Sequence, residues 1–463
     1  MSRKTVASAK GEPVRLEVES LDLEGNGVAH HDGKVVFVRG GLPGETVRAT
    51  VVRRKPRFDV AEVVAVDRQS SSRVRPRCPH FGVCGGCVTQ HVDARAQVAF
   101  KQRALEDTLW HLGRVKAQTI LAPIEGPAWG YRFRARLTAR HVAKKGGVLV
   151  GFHERGSSFV ADMTECHTLP PFVSDLLVPL RHLTGRLSIR ERMPQVEVAV
   201  GDVDAGRFLT ALVFRVLDPP GEADLAELCA FAAAHRVEVW LQSKGPDTVF
   251  LLCDAAGNSQ APLSGLGYTL AEFGLRIPFL PTEFTQVNFA INQQLLSRAV
   301  RVLDPRADET VVDLFCGLGN FTLPMATRAR SVLGIEGAPG LVARARQNAA
   351  LNQAALLGPA GGPDGVAFRS ANLFDFGLPD WEALGRVDKL LIDPPRDGAL
   401  SVAQALTSAA NRPQRVVYVS CNPATLARDL GLMVNTGGWN LKYAGVINMF
   451  PHTSHVESIA VLE

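Results

Sequence analysis

Two side chains near the end of the chain are of the types that covalent catalysis uses. Val416-Val417-Tyr418-Val419 is an apolar, β-branched run of strand type that stops at Ser420-Cys421-Asn422-Pro423, and a helical pattern through Thr425, Leu426 and Leu430 follows. Proline disfavours the α region for the residue before it, so the strand must turn there. A cysteine on that turn lies at the carboxyl end of a strand, where open α/β sheets bind ligands. The helix N-terminus beyond it can lower the thiol pKa. Taken alone, Cys421 reads more simply as core; the rest of the chain reverses that. The segment Val446–Leu462 looks like a closing hairpin whose polar corner holds His452, His455 and Glu457.

Three further cysteines, Cys78, Cys84 and Cys87, have the spacing C-x5-C-x2-C, threaded with glycine and proline. Such a loop can bend its thiolates round one metal centre, and both iron–sulfur and tetrahedral zinc sites usually need a fourth ligand. Cys229 sits in a helical apolar stripe with Leu225, Leu228 and Phe231, and Cys253 ends the run Val249-Phe250-Leu251-Leu252, so both read as core. Cys166, in a loop-like stretch before His167, is the expected fourth ligand, with His80 and a zinc site as alternatives.

A ligand pocket is expected at Thr310–Leu323, a strand followed by Phe315-Cys316-Gly317-Leu318-Gly319-Asn320 and a helix start. A Gly-x-Gly turn alone is a weak signal. The second strand, Val332–Ile335, ends in Glu336, sixteen positions after Asn320, where a carboxylate can accept hydrogen bonds from a ribose diol. Thr322 replaces the third glycine of a dinucleotide fingerprint, so a shorter nucleoside such as S-adenosyl-L-methionine fits better. A further strand, Lys389–Ile392, ends in Asp393-Pro394-Pro395-Arg396. No aromatic residue follows the prolines, which disfavours methylation of an exocyclic amine, and no cysteine stands there.

The elements that must position these groups follow from the rest of the chain. At 463 residues about three domains are expected. Hydrophobic residues make up 46%, enough for full cores, and no run of 18 apolar residues or secretory leader is visible. Eight cysteines without a leader argue for metal or catalysis rather than a disulfide framework, in a cytoplasmic protein. The first seventy residues show about five short strands separated by glycine turns, as in a small barrel of OB type. The formal net charge is +5, but Arg48 to Arg77 holds nine Arg/Lys against three acidic residues. Its run Arg53-Arg54-Lys55-Pro56-Arg57 could track phosphates. Val92 to about Gly113 is helical in pattern, and Tyr131–Val160 reads as strands in which Arg132, Arg134, Arg136 and Arg140 alternate with Tyr131 and Phe133, a ribbon suited to single-stranded RNA. Residues 173–270 mix helices and strands and carry no recognisable chemistry.

Together these motifs resemble the RNA (uracil-C5) methyltransferase family, in its iron–sulfur, TRAM-bearing branch that acts on 23S ribosomal RNA. Gly25-Asn26-Gly27-Val28-Ala29 and Leu42-Pro43-Gly44-Glu45 carry the TRAM likeness; the Cys78, Cys84, Cys87 and Cys166 set, Asp313–Asn320, Ser420–Pro423 and His455-Val456-Glu457 carry the rest. The resemblance implies a multidomain α/β protein: a TRAM barrel over 7–67, a central α+β domain over 68–281 with a 4Fe–4S cluster, and a Rossmann-like methyltransferase domain over 282–463. Residues 92–122 would be a helical segment packing on the catalytic domain. It places S-adenosylmethionine contacts at Gln286, Phe315, Asn320 and Glu336, with Asn372 beyond a Gly/Pro-rich insertion between Leu351 and Ala371, and Asp393 bordering cofactor and base. Cys421 becomes the nucleophile and Glu457 the general base. The partner would be ribosomal RNA in a single-stranded or looped region, its target uridine flipped out, acted on by a monomer with no membrane contact.

Uracil C5 is too weak a nucleophile to take a methyl group directly. A thiolate added at C6 puts electron density on C5, and a base must afterwards remove the C5 proton so that the cysteine can leave. The same residues leave open a tRNA target, an iron–sulfur redox enzyme acting on RNA, and a non-catalytic RNA-binding factor.

Overall fold

A computed structural model of the chain describes residues 12–204, 206–259, 265–356 and 365–463. The expected barrel start at residue 7, and residues 357–364 of the Gly/Pro-rich insertion, lie outside the described residues. The chain forms two compact units, one of residues up to Ala104 with Phe450–His455, the other of Leu105–Met449 with Val456–Glu463.

In the first unit, β1 (Val14–Glu17), β2 (Ser20–Leu21), β3 (Gly27–His31), β4 (Lys34–Arg39), β5 (Thr46–Arg54) and β6 (Phe58–Arg68) form one sheet in the order β1-β5-β6-β4-β3-β2. The strand not anticipated is β2, whose two residues are too short to show any period. Alternation at Val36/Val38 and Val47/Ala49 fills the core with Leu16, Ala29 and Ala61. The fully buried Glu45 accepts from Arg73 Nε (2.5 Å) and Nη2 (2.7 Å) and from the Leu42 and Ser70 N–H groups, pinning the chain after β6 to the barrel. Arg53, Arg54 and Arg57 are exposed at the β5–β6 turn, as phosphate tracking requires.

The expected helix is α1 (Ala94–His111), but 92–122 is not helical throughout. Gly113 lies so close to the backbone at Ala427 that a Cβ there would collide with its carbonyl, and Arg114 has φ +54°. The chain then extends into β7 (Thr119–Ile120), a strand of the C-terminal sheet.

The middle of the chain forms β8 (Arg134–Val142), β9 (Gly147–Gly151), α2 (Pro171–Ser174), α3 (Leu177–Arg186), β10 (Gln195–Asp204), β11 (Arg207–Arg215), α4 (Glu222–His235), β12 (Glu238–Gln242), β13 (Val249–Cys253), β14 (Gly267–Leu270) and β15 (Leu275–Pro278). The sheet order is β13-β12-β11-β10-β14-β15, with β8 on β10 and β9 on β8. Cys229 and Cys253, expected as separate core residues, instead pair in a disulfide. The basic–aromatic ribbon divides: Tyr131 is buried, Phe133 stacks on Phe289 and Arg134 is desolvated, its pKa lowered to about 10, whereas Arg136 and Arg140 face solvent.

The C-terminal part contains α5 (Phe289–Leu303), β16 (Thr310–Leu314), α6 (Thr322–Ala326), β17 (Ser331–Glu336), α7 (Pro339–Leu351), α8 (Gln353–Leu356), β18 (Gly365–Ser370), α9 (Leu378–Glu382), β19 (Lys389–Ile392), α10 (Leu400–Ser408), β20 (Arg415–Ser420), α11 (Pro423–Asn435), β21 (Leu441–Ile447) and β22 (Glu457–Leu462). Its sheet runs β18-β17-β16-β19-β20-β22-β21-β7. The first five strands are parallel and β22 is antiparallel to both neighbours. Leu390–Ile392 and Val416–Val419 are wholly buried, as expected of central strands covered on both faces. Chain order reverses between β16 and β19, the switch point at which such sheets bind ligands. No helix among the described residues is long and apolar enough to cross a membrane.

Candidate active site

The loop after β16 is built to approach a ligand with its backbone. Phe315 has φ +65° and Gly319 φ +94°, and the N–H groups of Phe315 and Cys316 both donate to the Ile335 carbonyl, at 2.9 and 3.1 Å. A bulky residue in the left-handed region is costly, so its presence beside the pocket marks a constrained turn. Glu336, at the end of β17, accepts from the Gly317 N–H through Oε2 (3.1 Å) and from the Ala338 N–H through Oε1 (2.9 Å). Asn320 exchanges hydrogen bonds with Asn292 (3.0 and 3.1 Å), and its Oδ1 also accepts from the Tyr268 hydroxyl at 2.7 Å. Asn292 and Tyr268 were not singled out from sequence; Asn292 lies one helical turn after Asn288, which caps α5, and that spacing was the available signal.

Gln286 is half-buried on a segment fixed at several points. The Val287 carbonyl accepts from the Phe133 N–H (2.8 Å), Thr285 Oγ1 accepts from Arg134 (3.3 Å), and the Asn288 side chain caps the Ile291 N–H (3.2 Å) and donates to the Met449 carbonyl (3.3 Å). Asn372 is exposed after β18, its side chain donating to Asp375 and accepting from the Phe374 N–H (3.1 Å). The Phe374 ring meets the Phe315 ring edge-on at 5.9 Å.

Asp313 is fully buried and accepts from the Thr322 hydroxyl at 2.5 Å. Burial pushes its pKa up to about 8, with Asp393 and Glu336 adding negative potential. Asp393 follows β19, and burial raises it to about 7. Between them these carboxyls link the pocket electrostatically to the end of β20.

There the strand register does the assembly. β20 and β22 pair as far as Ser420 opposite Ser458, so Cys421 follows the last paired residue of β20 and Glu457 is the first residue of β22, near enough for its charge to act on the Cys421 thiol. Cys421 is half-buried and Glu457 buried. The expectation of a lowered thiol pKa is corrected: burial first, then the negative charges of Glu457 and Asp393, push Cys421 up to about 11, with Arg396 partly offsetting them. Asn422, extended before Pro423 (φ −141°), caps the Ala424 N–H at 3.0 Å, and its amide donates to the Arg396 carbonyl at 3.0 Å, tying the Asp393–Arg396 loop to the Cys421 turn.

The polar corner before Glu457 is held within the first unit. The Val88 and Thr89 N–H groups donate to the His452 carbonyl (2.9 and 3.1 Å), and the His452 N–H donates to Gln97 Oε1 (2.8 Å), with His452 at φ +67°. Cys84 is buried, Cys78 and Cys87 half-buried, and the Gly86 N–H donates to Cys84 Sγ at 3.4 Å. In the second unit the buried Cys166 has its Sγ 3.2 Å from the Thr168 hydroxyl, and its N–H donates to Ser174 at 2.9 Å. Among the described residues no group of three or more His, Cys, Asp or Glu is arranged to hold a metal ion.

Residues 274–358 and 371–463 match the family model described as tRNA (Uracil-5-)-methyltransferase, and residues 7–64 match the TRAM domain. The chain is 56% identical over 451 residues to 23S rRNA (uracil(1939)-C(5))-methyltransferase RlmD of Bordetella avium, covering 97% of this chain and 90% of that protein. The proteins of the same name from Burkholderia pseudomallei and Cupriavidus necator are each 55% identical, covering 100% and 97% of this chain and 98% and 100% of theirs. Among solved structures, a Pyrococcus abyssi tRNA (uracil-54, C5)-methyltransferase in complex with S-adenosyl-L-homocysteine superposes with a TM-score of 0.69 at 21% identity, covering 97% of this chain and 99% of that one. At that identity the likeness shows the fold, a barrel joined to a Rossmann-like methyltransferase.

Proposed function

The chain belongs to the RNA uracil-C5 methyltransferase family, and from that premise we propose that it transfers a methyl group from S-adenosylmethionine to C5 of one uridine in 23S ribosomal RNA. The observation that carries the reading is that Cys421, next after β20, lies within electrostatic reach of Glu457, the first residue of β22, at the carboxyl end of the same sheet whose β16 loop and Glu336 frame a nucleoside pocket. The target is taken to be the uridine recorded in the relatives' name. Identity of 56% to enzymes named for ribosomal RNA outweighs 21% to one named for tRNA.

In this reading the Cys421 thiol loses its proton to solvent water, the thiolate sulfur bonds to uracil C6, and the C5–C6 π pair moves onto the C4 carbonyl to leave an enolate. C5 then takes the sulfonium methyl, and the C–S bond in the donor breaks. Glu457 accepts the C5 proton, the electron pair of that C–H bond re-forms the C5–C6 double bond, and the Cys421 thiolate departs. Gln286, Phe315, Asn320, Glu336 and Asn372 would hold the donor, with Asp393 between donor and base. The uridine must leave its stack to reach the thiol, which is why a looped region is the expected substrate.

We also infer that Cys78, Cys84, Cys87 and Cys166 hold a 4Fe–4S cluster. Four thiols suit such a cluster, and the Gly86 N–H aimed at Cys84 Sγ is the kind of contact that stabilises a bound thiolate. No step above needs an electron, so its contribution would be to folding. Protein purified without oxygen should be brown and Cys84→Ser should bleach it; colourless protein carrying stoichiometric zinc would identify the wrong metal. The division at 7–67, 68–281 and 282–463, action as a monomer and a cytoplasmic location complete the reading.

The test is transfer of a labelled methyl group to 23S transcript and to tRNA, with the modified position mapped by mass spectrometry. Label confined to C5 of one 23S uridine supports the proposal. Label on tRNA alone would transfer the activity to the tRNA branch.

A further inference from the structure

One side of α7 carries three polar side chains where a helix packed on a sheet ordinarily carries apolar ones. Arg344, Asn348 and Asn352 follow one another at intervals of four, the last at the C-cap, so they line up along the helix. Asn348 and Asn352 are buried, and Arg344 keeps only 20% of its side-chain surface. Burying an amide or a guanidinium costs free energy unless its bonds are made, so their partners say what they are for.

Each reaches a different segment beside the pocket. Arg344 Nε donates to both oxygens of Glu283, at 3.0 Å each, and Glu283, three residues before Gln286, also accepts from the Leu280 N–H at 2.6 Å. Asn348 donates to the Leu318 carbonyl at 3.0 Å, inside the Phe315–Asn320 loop. Asn352 donates to the Arg276 carbonyl (2.7 Å) and accepts from the Arg276 N–H (2.8 Å). Arg276 lies on β15, the last strand of its sheet, and a donor and an acceptor offered to one residue imitate a further strand. These contacts close a circuit. β15 pairs with β14, Ile277 opposite Tyr268, and the Tyr268 hydroxyl donates to Asn320 at 2.7 Å. The Phe315–Asn320 loop is thus gripped twice: at Leu318 directly from α7, and at the Asn320 side chain by way of β15 and β14. The segment before Gln286 is held from the same helix at a separate point.

We propose that Arg344 and Asn348 are positioning residues for the methyl donor: from one helix, which begins just after Glu336, they set Gln286 and Asn320 in register with that carboxylate. The proposal rests on the reading of this pocket as the S-adenosylmethionine site and adds what holds its parts at fixed distances. Neither residue takes part in the chemistry; both act through the segments they hold.

The experiment uses full-length protein. Amide exchange is followed by mass spectrometry without cofactor, cofactor affinity by calorimetry with S-adenosyl-L-homocysteine, and kinetics with a 23S fragment spanning the target uridine. Asn348→Leu keeps the side-chain branching and removes the donor. It should speed exchange of the 315–320 amides, leave 280–286 as in wild type, and weaken cofactor binding about 2- to 12-fold, the worth of one hydrogen bond. Arg344→Met should show the converse pattern of exchange, also with weaker binding, and Arg344→Lys, which keeps the ion pair, should recover most of that loss. In the leucine and methionine variants KM for S-adenosylmethionine should rise while kcat at saturating donor and RNA affinity stay at wild type. Tyr268→Phe releases the same loop from its other side. Combined with Asn348→Leu it should therefore cost less than the product of the two single losses, whereas Asn348→Leu with Arg344→Met should cost the full product. Wild-type cofactor affinity in both Asn348→Leu and Arg344→Met overturns the positioning role and leaves the function standing. A joint fall in RNA affinity, kcat and cofactor affinity would mark a general packing defect and also overturn it. Failure of the wild type to bind S-adenosyl-L-homocysteine would overturn the reading of the pocket itself.

Discussion

At the β16–β17 end of the catalytic sheet, Glu336 has one oxygen on the Gly317 N–H and the other on the Ala338 N–H, and Asn320 is locked by Asn292 and Tyr268. At the β20–β22 end, Cys421, Glu457 and Asp393 are set together with their charges opposed: the thiol is pushed up to about 11 and Asp393 to about 7. The first end orients the Glu336 carboxylate with backbone donors, which suits the ribose contact proposed for it. The second holds the Cys421 thiol, the proposed nucleophile, protonated at neutral pH, because burial and two carboxyls outweigh Arg396. On the proposed reading the cofactor end is preorganised while the thiol is held in reserve, since a protonated cysteine is slow to be alkylated or oxidised.

The comparison breaks most sharply at Cys421. Cys421→Ala should abolish methylation and any covalent RNA complex, while S-adenosylmethionine binding by calorimetry stays at the wild-type value. A fall in cofactor affinity would mean that the two ends are not separable. At the other end, Glu336→Ala should weaken cofactor binding by about 1.5–3 kcal/mol, roughly 10- to 150-fold, since hydrogen bonds to a charged group are lost. RNA affinity, measured in parallel, should be little changed; the reverse pattern would contradict the assignment of Glu336 to the ribose.

The reserve at the second end is testable by pH. In the free enzyme the thiolate fraction of Cys421 should rise about tenfold per pH unit from neutrality until it levels near pH 11, and its alkylation rate, followed by mass spectrometry, should rise with it. Glu457→Gln removes a negative neighbour, which favours the thiolate, so alkylation at a fixed pH should become several-fold faster. Fast, pH-independent alkylation at neutral pH would show a thiol already ionised.

What could be read from the chain divides along the same line. The strand-to-turn change at Ser420–Pro423 and the Gly-x-Gly turn were legible because proline and glycine constrain the backbone locally. The extra strand β7 was not, because it is decided by the close approach of Gly113 to α11, a contact with residues over three hundred positions away. The raised thiol pKa was missed for a similar reason. It depends on how deeply the β20 end is buried and on Glu457 and Asp393 arriving from other strands, neither of which the local helix-start argument contains. The approach of Cys421 and Glu457 follows from the pairing of β20 with β22, and sequence supplied only the residue types. Arg134 shows the converse, a basic residue read as RNA-facing that instead donates to Thr285 and to the Pro281 carbonyl beside the pocket.

The central claim is that Cys421 adds to uracil and Glu457 acts only after the methyl has moved. Glu457→Gln enzyme incubated with target RNA and methyl-labelled S-adenosylmethionine, then run on a denaturing gel, tests it in one step. The account predicts a protein–RNA band that carries the label, because the amide cannot accept the C5 proton and elimination stalls with one methyl in place; without the cofactor the band should fade. Normal turnover by Glu457→Gln, or a labelled band that persists when Cys421 is also replaced by alanine, would contradict it.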